Sequence, residues 1–249
     1  MSGHGLARCV TLLVLLGLAG ATALSANTSA RPVTDAEAAR FQGVGVLYVE
    51  GRNVCSVELI SATEATTAGH CVYSRRKQLH SPSAGMEVVF GQRDGSRSAV
   101  RGVRAVAVLP GFTAPGPRVA IDTMPWDIAL LSLDAPVTPD EAQPFRLIDW
   151  LEPRGDSVDI IGYEHVMPDH PMIRQGCLVT GSGRGVVVAT CKVVGGISGA
   201  PVVLSLDPVY PPILVAEVSS RGTAEDGVEL AFAVPIARHL AALRAQVDR

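Results

Sequence analysis

The residue with the clearest capacity for chemistry is a serine within a run of small residues. Ser198 lies in the segment 195–201, which reads Gly-Gly-Ile-Ser-Gly-Ala-Pro, and the apolar run 202–204 follows it. This pattern predicts a tight turn that presents one hydroxyl at the end of a strand, although plain turn chemistry is the alternative. A serine hydroxyl is a useful nucleophile only beside a histidine base and a carboxylate that orients the base. The rest of the chain must therefore supply both groups.

Two earlier segments contain such a histidine and such a carboxylate. Residues 66–72 read Thr-Thr-Ala-Gly-His-Cys-Val and contain His70, whereas residues 126–133 read Trp-Asp-Ile-Ala-Leu-Leu-Ser-Leu and contain Asp127. Together with the segment around Ser198, they resemble the Thr-Ala-Ala-His-Cys, Asp-Ile-Ala-Leu-Leu and Gly-Asp-Ser-Gly-Gly-Pro blocks of the trypsin/chymotrypsin family. Three blocks in the family order are far more specific than any one of them. The resemblance extends from about Gly43 to the end of the chain.

The resemblance implies a serine endopeptidase that hydrolyses polypeptides through an acyl-enzyme and needs no cofactor. His70 would accept the proton of Ser198 during attack and return it to the leaving group. Asp127 would hold the imidazole tautomer and stabilise the imidazolium. The backbone N–H groups of Gly196 and Ser198 would form the oxyanion hole, where the loss of one donor typically costs ~2.7–4 kcal/mol.

One departure from the family concerns the residue before the nucleophile. It is acidic in the digestive and clotting enzymes, where it pairs with a newly freed N-terminal amine, but here it is Ile197. The matching Ile-Val-Gly-Gly activation sequence is also absent from the chain. The protein therefore resembles the bacterial secreted branch, which includes glutamyl-endopeptidase-like and trypsin-like peptidases. We expect activity without a freed Ile-type N-terminus.

A second departure concerns the specificity pocket. Trypsin-like enzymes carry an aspartate six residues before the nucleophile, and this position is Lys192 here. Either Lys192 or Arg221, which follows the strand expected to line the pocket, could pair with an acidic substrate side chain. The alternative is that both face the solvent. Cleavage after Lys or Arg is disfavoured in either case.

Four cysteines follow the N-terminal segment, and they allow three disulfide pairings. The spacing favours Cys55 with Cys71 and Cys177 with Cys191, because each pair closes a loop of about 15 residues, which is worth ~3 kcal/mol in the chain-entropy model. Zinc binding is the competing interpretation, but the sequence has no Cys-x-x-Cys pair.

The histidines outside the triad are interpreted as ordinary residues. His165, Asp169 and His170 could bind a metal, but they lie in a proline-containing segment expected to be an exposed loop, so we predict no metal site. His80 and His239 are expected at the surface.

The N-terminal segment, residues 1–26, is typical of a cleaved secretory signal. Arg8 precedes an apolar run over 10–18, and small residues follow at 21–23. The run is shorter than the ~20 residues of a membrane span, although a signal anchor is the alternative. Cys9 would leave with the signal, and the mature protein would be secreted or periplasmic, without a membrane partner. The net charge of -3 and pI of about 6.1 give no case for nucleic-acid binding. No feature identifies a protein inhibitor.

Short Val-, Ile- and Leu-rich runs recur between turn residues and predict an all-β fold. They lie at 44–49, 54–60, 86–90, 100–109, 128–133, 158–163, 177–180, 186–191, 201–206, 213–218 and 230–234. The family resemblance implies two antiparallel six-stranded β-barrels with the triad at their interface. The helical spacing of Ile236, Leu240, Leu243 and Val247 predicts a C-terminal α-helix.

The expected domains are an N-terminal arm or propeptide remnant over 27–42, a first barrel over 43–140, and a second barrel with the C-terminal helix over 141–249. A capping box at Thr34 and Glu37 predicts a short helix in the arm, and the proline-bracketed stretch 138–144 predicts the boundary. The alternative to a protease is a catalytically silent homologue that acts as a binding or regulatory module. Ile197 and Ala200, which lie near the expected oxyanion hole, leave this alternative open. An esterase is a more distant possibility.

Overall fold

The computed structural model describes residues 29–247 except 75–77, 81–84, 114–118 and 151–153. The predicted signal peptide over 1–26, with Cys9, lies outside the described residues. Two closed six-stranded antiparallel β-barrels make up most of the described chain, which confirms the predicted fold class.

The first barrel contains six strands in the order β2-β3-β4-β7-β6-β5. These strands are β2 (Val44–Val49), β3 (Arg52–Ser61), β4 (Glu64–Thr67), β5 (Met86–Phe90), β6 (Ala99–Val108) and β7 (Ala129–Leu133). Side chains alternate along each strand, so one set fills the barrel interior, including Leu47, Leu59 and Leu131. The disulfide between Cys55 and Cys71 ties β3 to the turn that follows β4.

The second barrel closes in the order β9-β10-β11-β14-β13-β12, with β12 pairing back to β9. Its strands are β9 (Ser157–Glu164), β10 (Met167–Gly183), β11 (Val186–Ala189), β12 (Pro201–Leu204), β13 (Ile213–Thr223) and β14 (Glu229–Pro235). The short strand β1 (Arg31–Pro32) adds to β10, and β8 (Arg146–Leu147) pairs parallel to β13. The second disulfide joins Cys177 to Cys191, so the pairing favoured by spacing is confirmed for both bonds.

The short strands β1 and β8 and strand β4 were not predicted from the apolar runs, and β10 begins earlier than expected. β4 reads Glu-Ala-Thr-Thr and has no apolar alternation, so its backbone pairing with β3 and β7 defines it. β10 begins at Met167 rather than at 177, and its pairing with β9 shifts register between Met167 and Pro171 and again between Arg174 and Cys177. The exposed loop expected around Asp169 and His170 is therefore wrong: both residues belong to β10.

The two ends of the described chain each contact the barrel that is distant in sequence. Helix α1 (Asp35–Ala38) has the predicted capping box and follows β1, which pairs with the second barrel. Helix α2 (Ala237–Val247) packs on β6 and β7 of the first barrel. There, Arg244 donates two hydrogen bonds to Glu64, at 2.7 and 2.9 Å. None of the described helices has the length and apolar character needed to cross a membrane.

One histidine of α2 is buried, contrary to the sequence expectation. His239 is only 9% exposed, and its ring lies edge-on to Trp126 at 6.0 Å between centroids. The residue lies on the face of α2 that packs against the barrel, with Leu240 and Leu243. Its ring is therefore part of the helix–barrel contact and does not face the solvent.

Candidate active site

His70 and Asp127 form a hydrogen-bonded pair at the edge of the first barrel. His70 lies in the one-turn 3₁₀ helix Gly69–Val72 that follows β4, and Asp127 ends the 3₁₀ helix Met124–Trp126 just before β7. The imidazole Nδ1 donates to Asp127 Oδ2 at 2.9 Å, and the His70 backbone N–H donates to Oδ1 at 2.7 Å. A carboxylate only accepts hydrogen bonds, so Nδ1 carries the proton and Nε2 is free to act as a base.

Asp127 also receives a hydrogen bond from the other barrel. The aspartate is fully buried, and Ser219 Oγ on β13 donates to its Oδ2. The carboxylate thus has donors from the His70 ring, the His70 backbone and Ser219. A buried charge requires such partners, because transfer from water without them costs several kcal/mol.

Ser198 lies in a turn before β12, on the same cavity as His70. The backbone N–H of Ser56, on β3, donates to Ser198 O at 2.9 Å and fixes this turn against the first barrel. Among the described residues, no hydrogen bond joins Ser198 Oγ to the His70 ring. In enzymes without bound substrate, such a contact is often long and tightens when substrate binds.

Two neighbouring backbone N–H groups of this turn are unused. Within the described part of the chain, neither Gly196 N–H nor Ser198 N–H donates a hydrogen bond, whereas Ile197, Gly199 and Ala200 all donate theirs. Gly195 O accepts a hydrogen bond from His165 N–H at 3.0 Å. The peptide is trans, so the Gly196 N–H points in the opposite direction, away from the His165 backbone.

Gly196 is required by the backbone at this point. Its φ is +97°, and a Cβ atom would lie 2.7 Å from both Tyr163 O and His165 N. Either feature excludes a larger residue without a shift of the chain. Gly196 O also accepts a hydrogen bond from Ser56 Oγ at 3.0 Å. The turn is therefore fixed on one side by His165 and on the other by Ser56.

Ile197 replaces an acidic anchor with an apolar one. Its side chain is 2% exposed and belongs to the core of the second barrel, with Val193, Ala200 and Val218. Its Cδ1 atom lies 2.8 Å from the position that a Cβ on Gly162 would occupy. Hydrophobic packing of Ile197 and the hydrogen bonds from Ser56 and His165 thus hold the turn, and the described residues bring no ion pair to it.

A cavity of about 620 Å³ opens next to His70 and Ser198. Arg221 and Glu229 contribute charged side chains to its lining, and Arg221 Nη1 donates to Val193 O at 3.3 Å. Lys192 is exposed and is not among the residues that line this cavity. Of the two basic residues considered from sequence, only Arg221 is at the cavity.

The candidate metal residues do not assemble into a site. His170 Nε2 lies 2.6 Å from Asp94 Oδ1, and among the described residues His165, Asp169 and His170 do not come close enough together to hold a metal ion. His70 does lie close to Cys55 and Cys71, but the sulfur atoms of these cysteines are joined in a disulfide. These three atoms therefore do not offer a set of metal ligands.

Sequence reasoning missed four buried polar residues around the site. Ser56 and Ser219 hold the Ser198 turn and Asp127, and Glu58 and Glu217 meet between them. Burial raises the pKa of both glutamates above the usual range. The sequence did contain a signal for the two glutamates, since each lies in the middle of an apolar strand. A charged residue is rarely fully buried in such a strand without a role.

Two closed six-stranded barrels that bring a His–Asp pair and a serine to one cavity are typical of two-barrel serine hydrolases. The sequence model of the Trypsin family matches residues 33–194, which is more than half of the chain. The chain belongs to the trypsin family, as predicted, and is a serine protease. This match includes His70 and Asp127 and ends before Ser198.

The fold is also similar to a solved structure of a Glu endopeptidase in complex with MPD. The TM-score is 0.67 at 15% sequence identity, and the alignment covers 88% of this chain and 97% of that chain. The two proteins therefore share both barrels.

Proposed function

We propose that the protein is an exported serine endopeptidase in which Ser198, His70 and Asp127 form the catalytic triad. The observation that carries this proposal is the His70–Asp127 hydrogen bond of 2.9 Å, on a cavity that Ser198 also lines. The lone pair on His70 Nε2 is the base that a serine nucleophile requires.

The reaction follows from the proton positions. His70 Nε2 takes the proton of Ser198 Oγ as the oxygen attacks the scissile carbonyl, and Asp127 stabilises the resulting imidazolium. The unused N–H groups of Gly196 and Ser198 are suited to stabilise the oxyanion, because preorganised donors need no reorganisation during reaction. The imidazolium then protonates the leaving amine, and water hydrolyses the acyl-enzyme by the same steps in reverse.

A fluorophosphonate probe tests the nucleophile directly. We expect the folded wild-type protein to be labelled at Ser198, and the Ser198→Ala variant to remain unlabelled. The Ser205→Ala variant, altered on the second barrel outside the cavity lining, is the control and should be labelled like wild type. A folded wild type that resists the probe and cleaves no peptide would instead support the silent binding module.

Arg221 is the proposed specificity residue, for an acidic side chain before the cleaved bond. A guanidinium at the cavity can form charge-assisted hydrogen bonds with a carboxylate, and the structural neighbour is a Glu endopeptidase. Glu229 on the same cavity disfavours a second acidic group on the substrate.

Matched peptides with Glu, Gln or Lys at that position test this specificity. We expect kcat/KM to be highest for Glu in wild type. The Arg221→Ala variant should lose roughly 10- to 100-fold of the preference for Glu over Gln, in line with a charge-assisted hydrogen bond. The Lys192→Ala variant is the matched control. If Lys192→Ala loses the preference for Glu and Arg221→Ala keeps this preference, the specificity residue is Lys192 and not Arg221.

Export is tested by the mature N-terminus of the protein produced in its natural host. We expect mass spectrometry of the extracellular or periplasmic fraction to find chains that begin after residue 23 or 26. Only full-length chains in the membrane fraction would indicate a signal anchor.

A further inference from the structure

Two glutamates meet inside the protein, one from each barrel, next to the candidate triad. Glu58 lies on β3 and Glu217 on β13, and both are 0% exposed. The two carboxyl groups lie close enough for each to act on the pKa of the other. Their paired neighbours on the adjacent strands are Val44, Thr66, Pro201 and Val234. The pair therefore lies in an almost apolar environment.

Two carboxyl groups this close together in an apolar environment require a proton on at least one of them. Thr66 Oγ1 donates to Glu58 Oε1, and among the described residues no hydroxyl, amide or cation reaches the other three oxygen atoms. Two ionised carboxylates only accept hydrogen bonds and repel each other. A carboxyl O–H of one glutamate that donates to the other resolves both problems.

Burial and the nearby negative charges favour the protonated state of the pair, whereas hydrogen bonding from Thr66 opposes it. Burial is the largest cause that raises the pKa of Glu58, to about 8, and Glu217 and Thr66 partly oppose it by hydrogen bonding. Burial also raises the pKa of Glu217, followed by the charge of Glu58 and that of Asp127. Thr66 is the other polar group at the pair, and the described residues bring no cation to it.

The two glutamates lie between the contacts that assemble the site. On β3, Ser56 is two residues before Glu58 and donates to Gly196 O in the turn that carries Ser198. On β13, Ser219 is two residues after Glu217 and donates to Asp127. A change in separation between β3 and β13 would therefore displace the turn and the His–Asp pair relative to each other.

We propose that Glu58 and Glu217 are positioning residues, a proton-sharing carboxyl pair that holds the two barrels in the register in which the catalytic cleft is assembled. The inference rests on the proposed protease function for its kinetic consequence. When Glu58 loses its proton to the solvent, a negative charge is left in this apolar environment near Asp127, and the interface between the barrels loosens. The cleft is then fully intact only while Glu58 holds its proton.

The sign of the pH effect follows from proton binding. An unfolded glutamate has a pKa of about 4.3, so between that pH and about 8 the folded protein holds more protons than the unfolded chain. This contribution to stability is complete below the unfolded value and is lost as the pH rises through the folded value. Activity should fall above about pH 8, where Glu58 ionises in the folded protein.

The kinetic test compares Ala and Gln variants. Glu217→Ala should lower kcat at least tenfold, and Glu217→Gln should recover most of that loss because its amide donates to Glu58 as the acid does. In wild type, kcat should fall roughly 10-fold between pH 8 and pH 9.5. The double variant Glu58→Gln/Glu217→Gln should fall less than threefold, and the exposed control Glu87→Gln should follow wild type. An equal alkaline loss in the double Gln variant and wild type would overturn the proposal.

A second measurement does not depend on catalysis. In the Ser198→Ala protein at pH 7, infrared spectroscopy should detect a protonated carboxyl band that disappears in Ser198→Ala/Glu58→Gln/Glu217→Gln. The melting temperature should fall between pH 7 and pH 10 in the first protein and stay nearly constant in the second. Absence of the band overturns the carboxyl pair, whatever the enzyme does. A band without any peptidase activity in wild type would contradict only the proposed function.

Discussion

The hydroxyl of Ser219 on the second barrel donates a hydrogen bond to the buried carboxylate of Asp127 on the first. Asp127 in turn accepts from the His70 ring at 2.9 Å. The orientation of the candidate base thus depends on a contact that crosses the interface between the barrels. Such a contact acts on the chemistry through another residue and has no need to touch the substrate.

Replacing Ser219 with Ala should lower kcat more than it changes KM. A hydrogen bond to a charged group is worth about 1.5–3 kcal/mol, which corresponds to a roughly 10- to 100-fold loss of kcat. Peptide hydrolysis under saturating substrate measures the effect. Ser220→Ala is the matched control, because Ser220 lines the same cavity without a hydrogen bond to Asp127 among the described residues. Equal effects of both substitutions would show that the cavity, and not the aspartate, is responsible.

An acidic residue at position 197 should prevent folding of the Ser198 turn. Ile197 is 2% exposed in the core of the second barrel, so Ile197→Asp would bury an unpaired charge and lower the free energy of unfolding by at least 3 kcal/mol. Ile197→Val should cost only about 0.5–1.5 kcal/mol and retain probe labelling. Chemical denaturation compares the two variants. A stable, active Ile197→Asp protein would contradict the apolar anchor.

Truncation of the N-terminal arm should reduce stability rather than trigger activity. Val33 is fully buried, and β1 pairs with β10, so these contacts are lost in a chain that begins at Phe41. Loss of one buried valine alone costs about 1.5–3 kcal/mol. Recombinant chains that begin at Leu24 or Asn27 should hydrolyse peptides at similar rates, and the shorter chain should unfold at lower denaturant concentration. Activity that is present only in the chain beginning at Phe41 would indicate a removable propeptide instead.

Removal of the second disulfide should weaken both stability and substrate binding. Cys177 and Cys191 close a loop with a sequence separation of 14, and the chain-entropy model assigns ~3 kcal/mol to a loop of this length. Cys191 also precedes Val193, whose carbonyl oxygen accepts the hydrogen bond from Arg221. We expect Cys177→Ala/Cys191→Ala to unfold about 3 kcal/mol more easily and to show a raised KM. The prediction fails if denaturation curves of the two proteins coincide.

His239 should make the protein less stable under mildly acidic conditions. Burial, and then the charge of Arg238, lower the pKa of His239, so below about pH 6.5 the unfolded chain binds the proton more readily than the folded protein. Stability therefore falls as the pH falls through that value. His239→Phe keeps a ring beside Trp126 and should reduce the change in melting temperature between pH 7 and pH 5. His80→Phe serves as the control and should retain the wild-type pH dependence.

The sequence predicted the elements whose signals are local. The residues around His70, Asp127 and Ser198 each lie in a short segment with a family-like order, and the apolar runs gave most strands to within a few residues. β4 was missed because its polar sequence has no periodicity, and it is defined by pairing on both sides. Pairing of this kind depends on strands that are distant in the chain.

The polar contacts between the barrels could not be predicted from the sequence. Ser56 and Ser219 are ordinary serines in β-strands until the barrels pack, and Glu58 is separated from Glu217 by most of the domain. The same limit applies to His239, whose burial depends on where α2 docks. Local patterns give the type of an element, but the partner of a side chain is a property of the tertiary fold.

The crossed attachment of the two ends makes each half of the chain incomplete without the other. The arm that precedes the first barrel supplies β1 to the second, and the helix that follows the second supplies Arg244 to Glu64 of the first. A cut in the stretch 138–144 would therefore leave two fragments that each need the other to fold, and not two autonomous folding units. Coexpression of the halves is accordingly a route to a two-chain form of the enzyme, whereas either half alone would present an uncovered apolar surface to water.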